Sequence, residues 1–211
     1  MHLMTSAKHR VLWAAILLLQ YAILFPATAH GALNEPQRII QQVSDGLMRV
    51  LREDRNLLKT DPGYVYRLVD ELFLPHVDLP RVTALALGPY WRDATPEQRR
   101  VFQTEFQRLL IQTYASALDA LSTWEIRFLP MQLEPGATRT MVRTEIRQPN
   151  GQPVRVDYRM ALTNGRWRAY DVAVQEVSLL ASYRSQFTAV AQRRGIAGLL
   201  EELSARNETR R

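Results

Sequence analysis

The chain has 211 residues, no cysteine, and 27 Lys and Arg against 21 Asp and Glu, which gives a formal net charge of +6. Without cysteine, a disulfide framework and a thiolate metal site are both excluded. The arginines are spread along the predicted helices and strands, so a solvated surface is favoured over nucleic-acid binding. Weak attraction to anionic lipid or to an acidic partner is the second interpretation.

The N-terminus has the pattern of a secretory signal peptide. Basic Lys8 and Arg10 precede an apolar run at 11–25, and small residues Ala27-Thr28-Ala29 follow. The run is shorter than the roughly 20 residues that span a bilayer, which favours cleavage over an uncleaved anchor. A membrane-anchored structural protein is the alternative. Cleavage after Ala29 lowers the net charge to +4 and predicts a signal peptide at 1–29, one domain at 30–206 and a flexible tail at 207–211.

The first half of the domain is predicted to be helical. Each helix start pairs a capping residue with a proline in the first turn, and the last start, Thr95-Pro96-Glu97-Gln98, is also a capping box. The predicted helices begin at Glu35, Pro62, Leu79 and Pro96 and end near Arg55, Pro75, Leu87 and Leu121.

The second half changes to a period of two residues, which indicates strands. Turn sequences such as Asn164-Gly165 separate them and favour an antiparallel meander. The four predicted strands are Trp124–Met131, Thr138–Gln148, Val154–Leu162 and Arg166–Gln175. The last strand is expected to pass straight into a helix from Ser178 to Gly195, with a short final helix to about Ala205. Helices followed by a meander predict an α+β fold.

Catalytic and metal-binding patterns are scarce. The domain contains no H-E-x-x-H, G-x-S-x-G, P-loop or G-x-G-x-x-G sequence, and His76 is the one histidine well inside it. We therefore expect no metal, no cofactor and no enzymatic activity. The remaining enzyme hypothesis is a cone-shaped sheet like that of ketosteroid isomerase, which would use Tyr158, Tyr170, Asp157 and Asp171. Strand alternation places each Asp on the face opposite its neighbouring Tyr, which argues against this hypothesis. Periodicity alone favours an ordinary core over a ligand pocket.

Several segments, in the right order, resemble the MlaC, or toluene-tolerance auxiliary, family of Gram-negative bacteria. The stretch from Leu87 to Arg99 resembles the family's Leu-Gly-x-Tyr-Trp/Tyr followed by Ala-Thr-Pro-x-Gln-Arg. The further similarities are Phe102 and Phe106 (F-x-x-x-F), Trp167 to Asp171 (W-x-x-Y-D), Val177-Ser178-Leu179, Tyr183 to Phe187 (Y-R-x-Q-F) and Arg194 to Leu199. One departure is Gln175-Glu176, where the family usually has Glu-Gly, so we expect a differently shaped bend there.

The resemblance implies a monomeric periplasmic carrier that shuttles a phospholipid between an outer-membrane lipoprotein and porin complex and an inner-membrane ABC transporter. Such a carrier maintains the lipid asymmetry of the outer membrane. A branch of the family is associated with hopanoid biosynthesis, so a polycyclic lipid is the alternative ligand. The implied fold packs helices on a curved, NTF2-like antiparallel sheet, with the C-terminal helices closing an apolar pocket.

We expect the acyl tails to lie between the apolar face of the sheet and the helices. The predicted pocket residues are Phe102, Phe106, Leu109, Val142, Val156, Tyr158, Tyr170, Val172, Val174, Tyr183 and Phe187, and the predicted mouth residues are Tyr90, Trp91 and Arg92.

Overall fold

Capping residues start the helices of the first half where the sequence predicts them. The computed structural model describes residues 33–115, 124–148 and 151–209. Asn34 and Thr95 each form a complete capping box, and Asp61 and Asp78 accept a hydrogen bond from a backbone N–H of the first turn. Residues 33–115 form α1 Glu35–Glu53, α2 Arg55–Thr60, α3 Pro62–Leu68, α4 Leu79–Leu87, α5 Tyr90–Asp93 and α6 Pro96–Tyr114.

Helix α3 continues in an irregular form that the sequence does not predict. It passes into a π-helical turn at Val69–Phe73 and then a 3-10 turn at Leu74–His76. The prediction of a regular α-helix that ends at Pro75 is therefore wrong for its last two turns. Such wide turns inside helices are frequent at functional sites.

The sheet has five antiparallel strands in chain order rather than the four predicted. The additional strand exists because Gln175 (φ 48°) and Glu176 (φ 68°) both adopt left-handed backbone conformations. They make a tight turn that folds the chain back onto the preceding strand before the last helix begins. The strands are β1 Glu125–Phe128, β2 Arg139–Arg147, β3 Val154–Thr163, β4 Arg166–Val174 and β5 Val177–Ser178.

Two clusters of buried side chains stabilise the domain. One lies between α1 and the sheet, where Ile40 packs with Val142, Met160 and Trp167. The other, here called the aromatic core, lies among α4, α6 and the final helix, α7 (Leu179–Thr209). Its main members are Leu87, Phe102, Phe106, Leu109, Tyr183, Phe187 and Leu199.

Helix α7 bends at Gly195 (φ 69°, ψ −179°), where the sequence predicts a break between two helices. It then extends to Thr209, beyond the predicted end near Ala205. Asn207 is fully buried, and its side-chain amide donates to the backbone oxygen of Glu105 at 2.9 Å. Residues 207–209 are therefore helical rather than part of a flexible tail.

The predicted signal peptide at 1–29 and the predicted end of α6 near Leu121 lie outside the described residues. Within the ranges that the structure describes, we find no helix with the length and hydropathy needed to cross a bilayer.

Candidate functional site

An apolar cavity of about 160 Å³, here called the sheet-side cavity, lies where β4 meets α6 and α7. Phe106 of α6 and Tyr183 of α7 contribute to its lining from the helices, and four consecutive residues of β4 contribute from the sheet. Because β4 has a register irregularity beside Arg159 and Met160, Tyr170 departs from the simple alternation of the strand. The complete lining is Val77, Val82, Phe106, Leu110, Ala169, Tyr170, Asp171, Val172, Leu179, Leu180 and Tyr183.

A second cavity of about 240 Å³, here called the helix-side cavity, lies between α6 and the irregular continuation of α3. Its side chains are almost all aliphatic or aromatic, with Gln107 as the exception. The lining is Val65, Leu68, Val69, Phe73, Leu74, Val77, Leu79, Val82, Gln107, Leu110, Ile111, Tyr114 and Ala115.

Val77, Val82 and Leu110 line both cavities and form the wall between them. Val77 is held in place because it bridges to Ala169 of β4, and the N–H of Asp78 donates to the Ala169 carbonyl at 2.9 Å. The lining that the cavities share therefore includes three aliphatic side chains, and the backbone of one of them, Val77, is anchored to the sheet.

Two tyrosines connect the cavities through their hydroxyl groups. Tyr183 lines the sheet-side cavity and Tyr114 lines the helix-side cavity. Burial, followed by the hydrogen bond with Tyr183, raises the pKa of Tyr114 to about 12. The phenol of Tyr114 therefore stays neutral at physiological pH, which suits an apolar site.

The outer edge of the helix-side cavity carries one polar link. The side-chain amide of Gln107 on α6 donates to Oδ1 of Asp70 in the π-helical turn at 3.2 Å. This bond holds the two walls together. Because both groups are exposed to solvent, little free energy is lost when the bond breaks and the walls separate.

Four of the predicted pocket residues line the sheet-side cavity: Phe106, Tyr170, Val172 and Tyr183. The structure places the other seven elsewhere. Phe102, Leu109 and Phe187 are in the aromatic core, Val142 and Tyr158 pack in the layer between α1 and the sheet, Val156 is buried on the same sheet face, and Val174 is exposed.

None of the three predicted mouth residues lines either cavity. Tyr90 and Trp91 are half-buried against the aromatic core, and the guanidinium of Arg99 lies 4.9 Å from the centre of the Trp91 ring. Arg92 lies with Arg184 in a separate open groove between α4 and α7.

The carboxylates of the enzyme hypothesis are engaged in structural bonds. Asp171 accepts from the Ser178 hydroxyl at 2.7 Å and from the Leu180 N–H at 3.1 Å, and it also pairs with Arg159 at 3.2 Å. Asp157 pairs with Arg155. Asp171 thus joins β4 to the start of α7, which is a structural role.

The comparison with known families decides the identity of the fold. A family model described as MlaC protein matches residues 41–205. The chain belongs to the MlaC family.

Two curated MlaC relatives are similar along most of the chain. The "intermembrane phospholipid transport system binding protein MlaC" of Haemophilus influenzae is 27% identical over 195 residues, which cover 90% of this chain and 91% of that protein. The "toluene tolerance protein ttg2D" of Pseudomonas putida is 28% identical over 165 residues, which cover 78% and 76% of the two chains.

A solved structure also resembles the MlaC fold seen here. The phospholipid-binding protein of Ralstonia solanacearum, in complex with a phospholipid, has a TM-score of 0.78 and 31% sequence identity. The match covers 84% of this chain and 99% of that one.

The two cavities have many lining residues that the sequence does not single out. In the sequence, Val65, Leu68 and Val69 have the spacing of an ordinary apolar helix stripe, and so has Leu110 on α6. The available signal was the width of the stripe on α6, where Leu109, Leu110 and Ile111 are consecutive. A helix that is apolar over so wide an arc must contact more than one partner.

Proposed function

We propose that this protein is a periplasmic carrier that binds a phospholipid by enclosing its acyl tails in the two cavities. The observation that carries the proposal is that the cavities are apolar and adjacent, with Val77, Val82 and Leu110 in the lining of both. Membership of the MlaC family and the phospholipid bound to the Ralstonia solanacearum protein support the same class of ligand.

The energetics favour such an arrangement. Exposing acyl chains to water costs about 0.8 kcal/mol per CH₂, so two tails with roughly thirty methylenes meet a barrier on the order of 20 kcal/mol. Burial among aliphatic side chains removes most of this barrier without a catalytic group or a cofactor.

The volumes require the walls to move. At about 160 and 240 Å³, each cavity is smaller than the roughly 300 Å³ from which small-molecule pockets begin. Displacement of the Val82 and Leu110 side chains would join them, and separation of Asp70 from Gln107 would widen the helix-side cavity. Both changes break few polar contacts.

The proposed route is the one that the family resemblance implies. In this proposal the carrier receives phospholipid at an outer-membrane lipoprotein complex and delivers it to an inner-membrane ABC transporter, or the reverse, and so maintains outer-membrane asymmetry. It works as a monomer and without enzymatic activity. Export through the predicted signal peptide places it in the periplasm.

Lipid analysis tests the proposal directly. The purified mature protein should release a stoichiometric two-tailed phospholipid on organic extraction, and native mass spectrometry should show the matching mass. A polycyclic lipid would instead identify a hopanoid carrier. A protein that contains no lipid and acquires none from vesicles would refute the carrier function.

A matched pair of substitutions assigns the ligand to the cavities. Leu110→Trp places a larger side chain in the lining that the two cavities share, where it takes up their space, so it should abolish co-purified lipid. Leu57→Trp makes the same change on α2, where Leu57 is already 44% exposed, and should leave lipid content unchanged. Val82→Trp provides a second block if Leu110→Trp folds poorly. Equal lipid content in all four proteins would place the ligand elsewhere.

A further inference from the structure

Arginine residues that are distant in sequence converge on one face of the sheet. Residues directly opposite each other in neighbouring strands share a face. The register pairs Val142 with Tyr158 on the face that α1 covers. On the opposite face, here called the arginine face, β1 to β4 carry eight arginines and only four carboxylates.

Half of these arginines are neutralised within the face. Arg127 and Arg147 pair with Glu145, Arg155 pairs with Asp157, and Arg159 pairs with Asp171, at distances of 3.2 to 3.7 Å.

The other four, Arg139, Arg143, Arg166 and Arg168, have no ion-pair partner among the residues that the structure describes. Arg139, Arg143 and Arg166 are exposed, and the Nε of Arg168 is buried without a hydrogen-bond partner. The face therefore presents an uncompensated positive charge to solvent.

The strand register also shows how these arginines are arranged on the face. Arg139 on β2 and Arg168 on β4 flank Ala161 of β3 in one row across the sheet. Since strands lie about 4.8 Å apart, the two arginines stand about 10 Å apart over a small, buried residue. Guanidinium groups bind phosphate oxygens in a bidentate manner, so this row suits an array of phosphates.

We propose that the arginine face docks the protein on the surface of a bilayer that contains anionic phospholipids. A membrane fits better than a protein partner because Ala161 and Ala173, the alanines of this face, are both buried. The aromatic residues Phe128, Tyr158 and Trp167 lie on the face that α1 covers, and Tyr170 lines the sheet-side cavity. Stable protein interfaces are usually anchored by such side chains. Docking by charge alone is also reversible. It does not depend on whether the cavities hold a lipid.

Vesicle co-sedimentation tests this docking. The mature protein should pellet with vesicles made of equal parts phosphatidylcholine and phosphatidylglycerol and stay in solution with phosphatidylcholine alone. Raising the salt concentration to about 1 M, where the Debye length falls to about 3 Å, should release it. Equal pelleting with both vesicles, or no pelleting with either at low salt, would overturn the proposal.

A charge-matched pair of variants locates the surface. Arg139→Gln with Arg143→Gln should weaken vesicle binding roughly twentyfold, since each basic residue near an anionic surface contributes about fivefold. Arg38→Gln with Arg49→Gln makes the same charge change at exposed positions of α1 and should weaken binding less than about twofold. Equal losses in the two pairs would show that only net charge matters and would refute the assigned face.

Two further measurements separate docking from other effects. Arg139→Lys with Arg143→Lys retains the charge and should retain most binding, whereas a loss equal to that of the Gln pair would contradict electrostatic docking. Leu110→Trp should still pellet with anionic vesicles even if it carries no lipid, so failure of the carrier function and failure of the docking remain distinguishable.

Discussion

The two sides of α6 differ in how tightly they are packed. On one side, Phe102 and Leu109 are fully buried in the aromatic core. On the other, Leu110 and Ile111 line cavities that the protein leaves unfilled. The same helix thus contributes to the packed aromatic core and to the walls of the cavities.

The comparison shows which apolar residues fill space and which enclose it. In the aromatic core, the Phe187 ring meets those of Phe102 and Phe106 edge-on, with centroids 5.3 and 5.2 Å apart. Rings that meet edge-on at these distances are in direct contact with one another. The cavity walls are mostly Val and Leu, whose smaller side chains can change rotamer without breaking a polar contact. Of the six aromatic residues predicted to line the pocket, three line the sheet-side cavity, and Phe102, Tyr158 and Phe187 do not.

The largest expected effect comes from truncating a side chain in the aromatic core. Phe102→Ala should lower the free energy of unfolding by about 3–5 kcal/mol, because a fully buried ring leaves a cavity that its neighbours cannot close. Urea titration followed by circular dichroism measures this loss. Phe102→Leu should lose less than half as much. A loss near zero would mean that the aromatic core is as yielding as the cavity walls.

Alkaline pH should weaken the packed layer between α1 and the sheet. Burial raises the pKa of Tyr158 to about 12, so its neutral form is favoured in the folded state. The associated stability is fully present below about pH 10 and is lost as the pH rises from 10 towards 12, on the order of 2 kcal/mol.

Urea titrations across this pH range compare the wild type with Tyr158→Phe. The variant should show the smaller decline, because only the contributions of other tyrosines such as Tyr64 and Tyr114 remain. Parallel declines in the two proteins would contradict the assignment to Tyr158.

The side of α6 that lines the cavities should tolerate truncation of a side chain better than the aromatic core does. Leu110→Ala should cost about 2 kcal/mol, the lower end of the range for buried leucine, because its side chain already borders two cavities. It should also increase lipid uptake from vesicles, since it removes part of the dividing wall. Leu109→Ala, one residue away in the aromatic core, is the control and should cost more without raising uptake. The reverse order of the two losses would contradict the distinction between the sides.

The smallest effect concerns the turn that positions α7 over the sheet-side cavity. Glu176→Gly should raise the free energy of unfolding by about 0.5–1 kcal/mol, because glycine adopts the φ of 68° without strain. The Arg155–Glu176 contact at 3.6 Å is exposed and its loss should matter little. Glu176→Ala should give no gain. A stabilisation shared by both variants would point to the lost charge instead of the backbone.

Local patterns predicted much of this molecule. The caps at Asn34, Asp61, Asp78 and Thr95 were confirmed because each depends on a few neighbouring residues. The period-two segments and the break at Gly195 were confirmed for the same reason. Of the predicted pocket, Phe106, Tyr170, Val172 and Tyr183 line a cavity. Their role in ligand binding stays a prediction.

Features that depend on distant contacts were not predicted. The π-helical turn at Val69–Phe73 and the helical burial of Asn207 against Glu105 have no local signature. The short strand β5 requires two non-glycine residues in the left-handed region, which sequence preferences argue against.

By itself, the sequence determined the secondary structure, the α+β class and the family resemblance, because these follow from short-range periodicity, capping chemistry and motifs read in order. Only the tertiary structure decided where space is left empty and where charge accumulates. A cavity is a property of side chains from four or five elements packed together, and strand register brings arginines that are distant in sequence onto one face. Neither quantity exists until those elements meet.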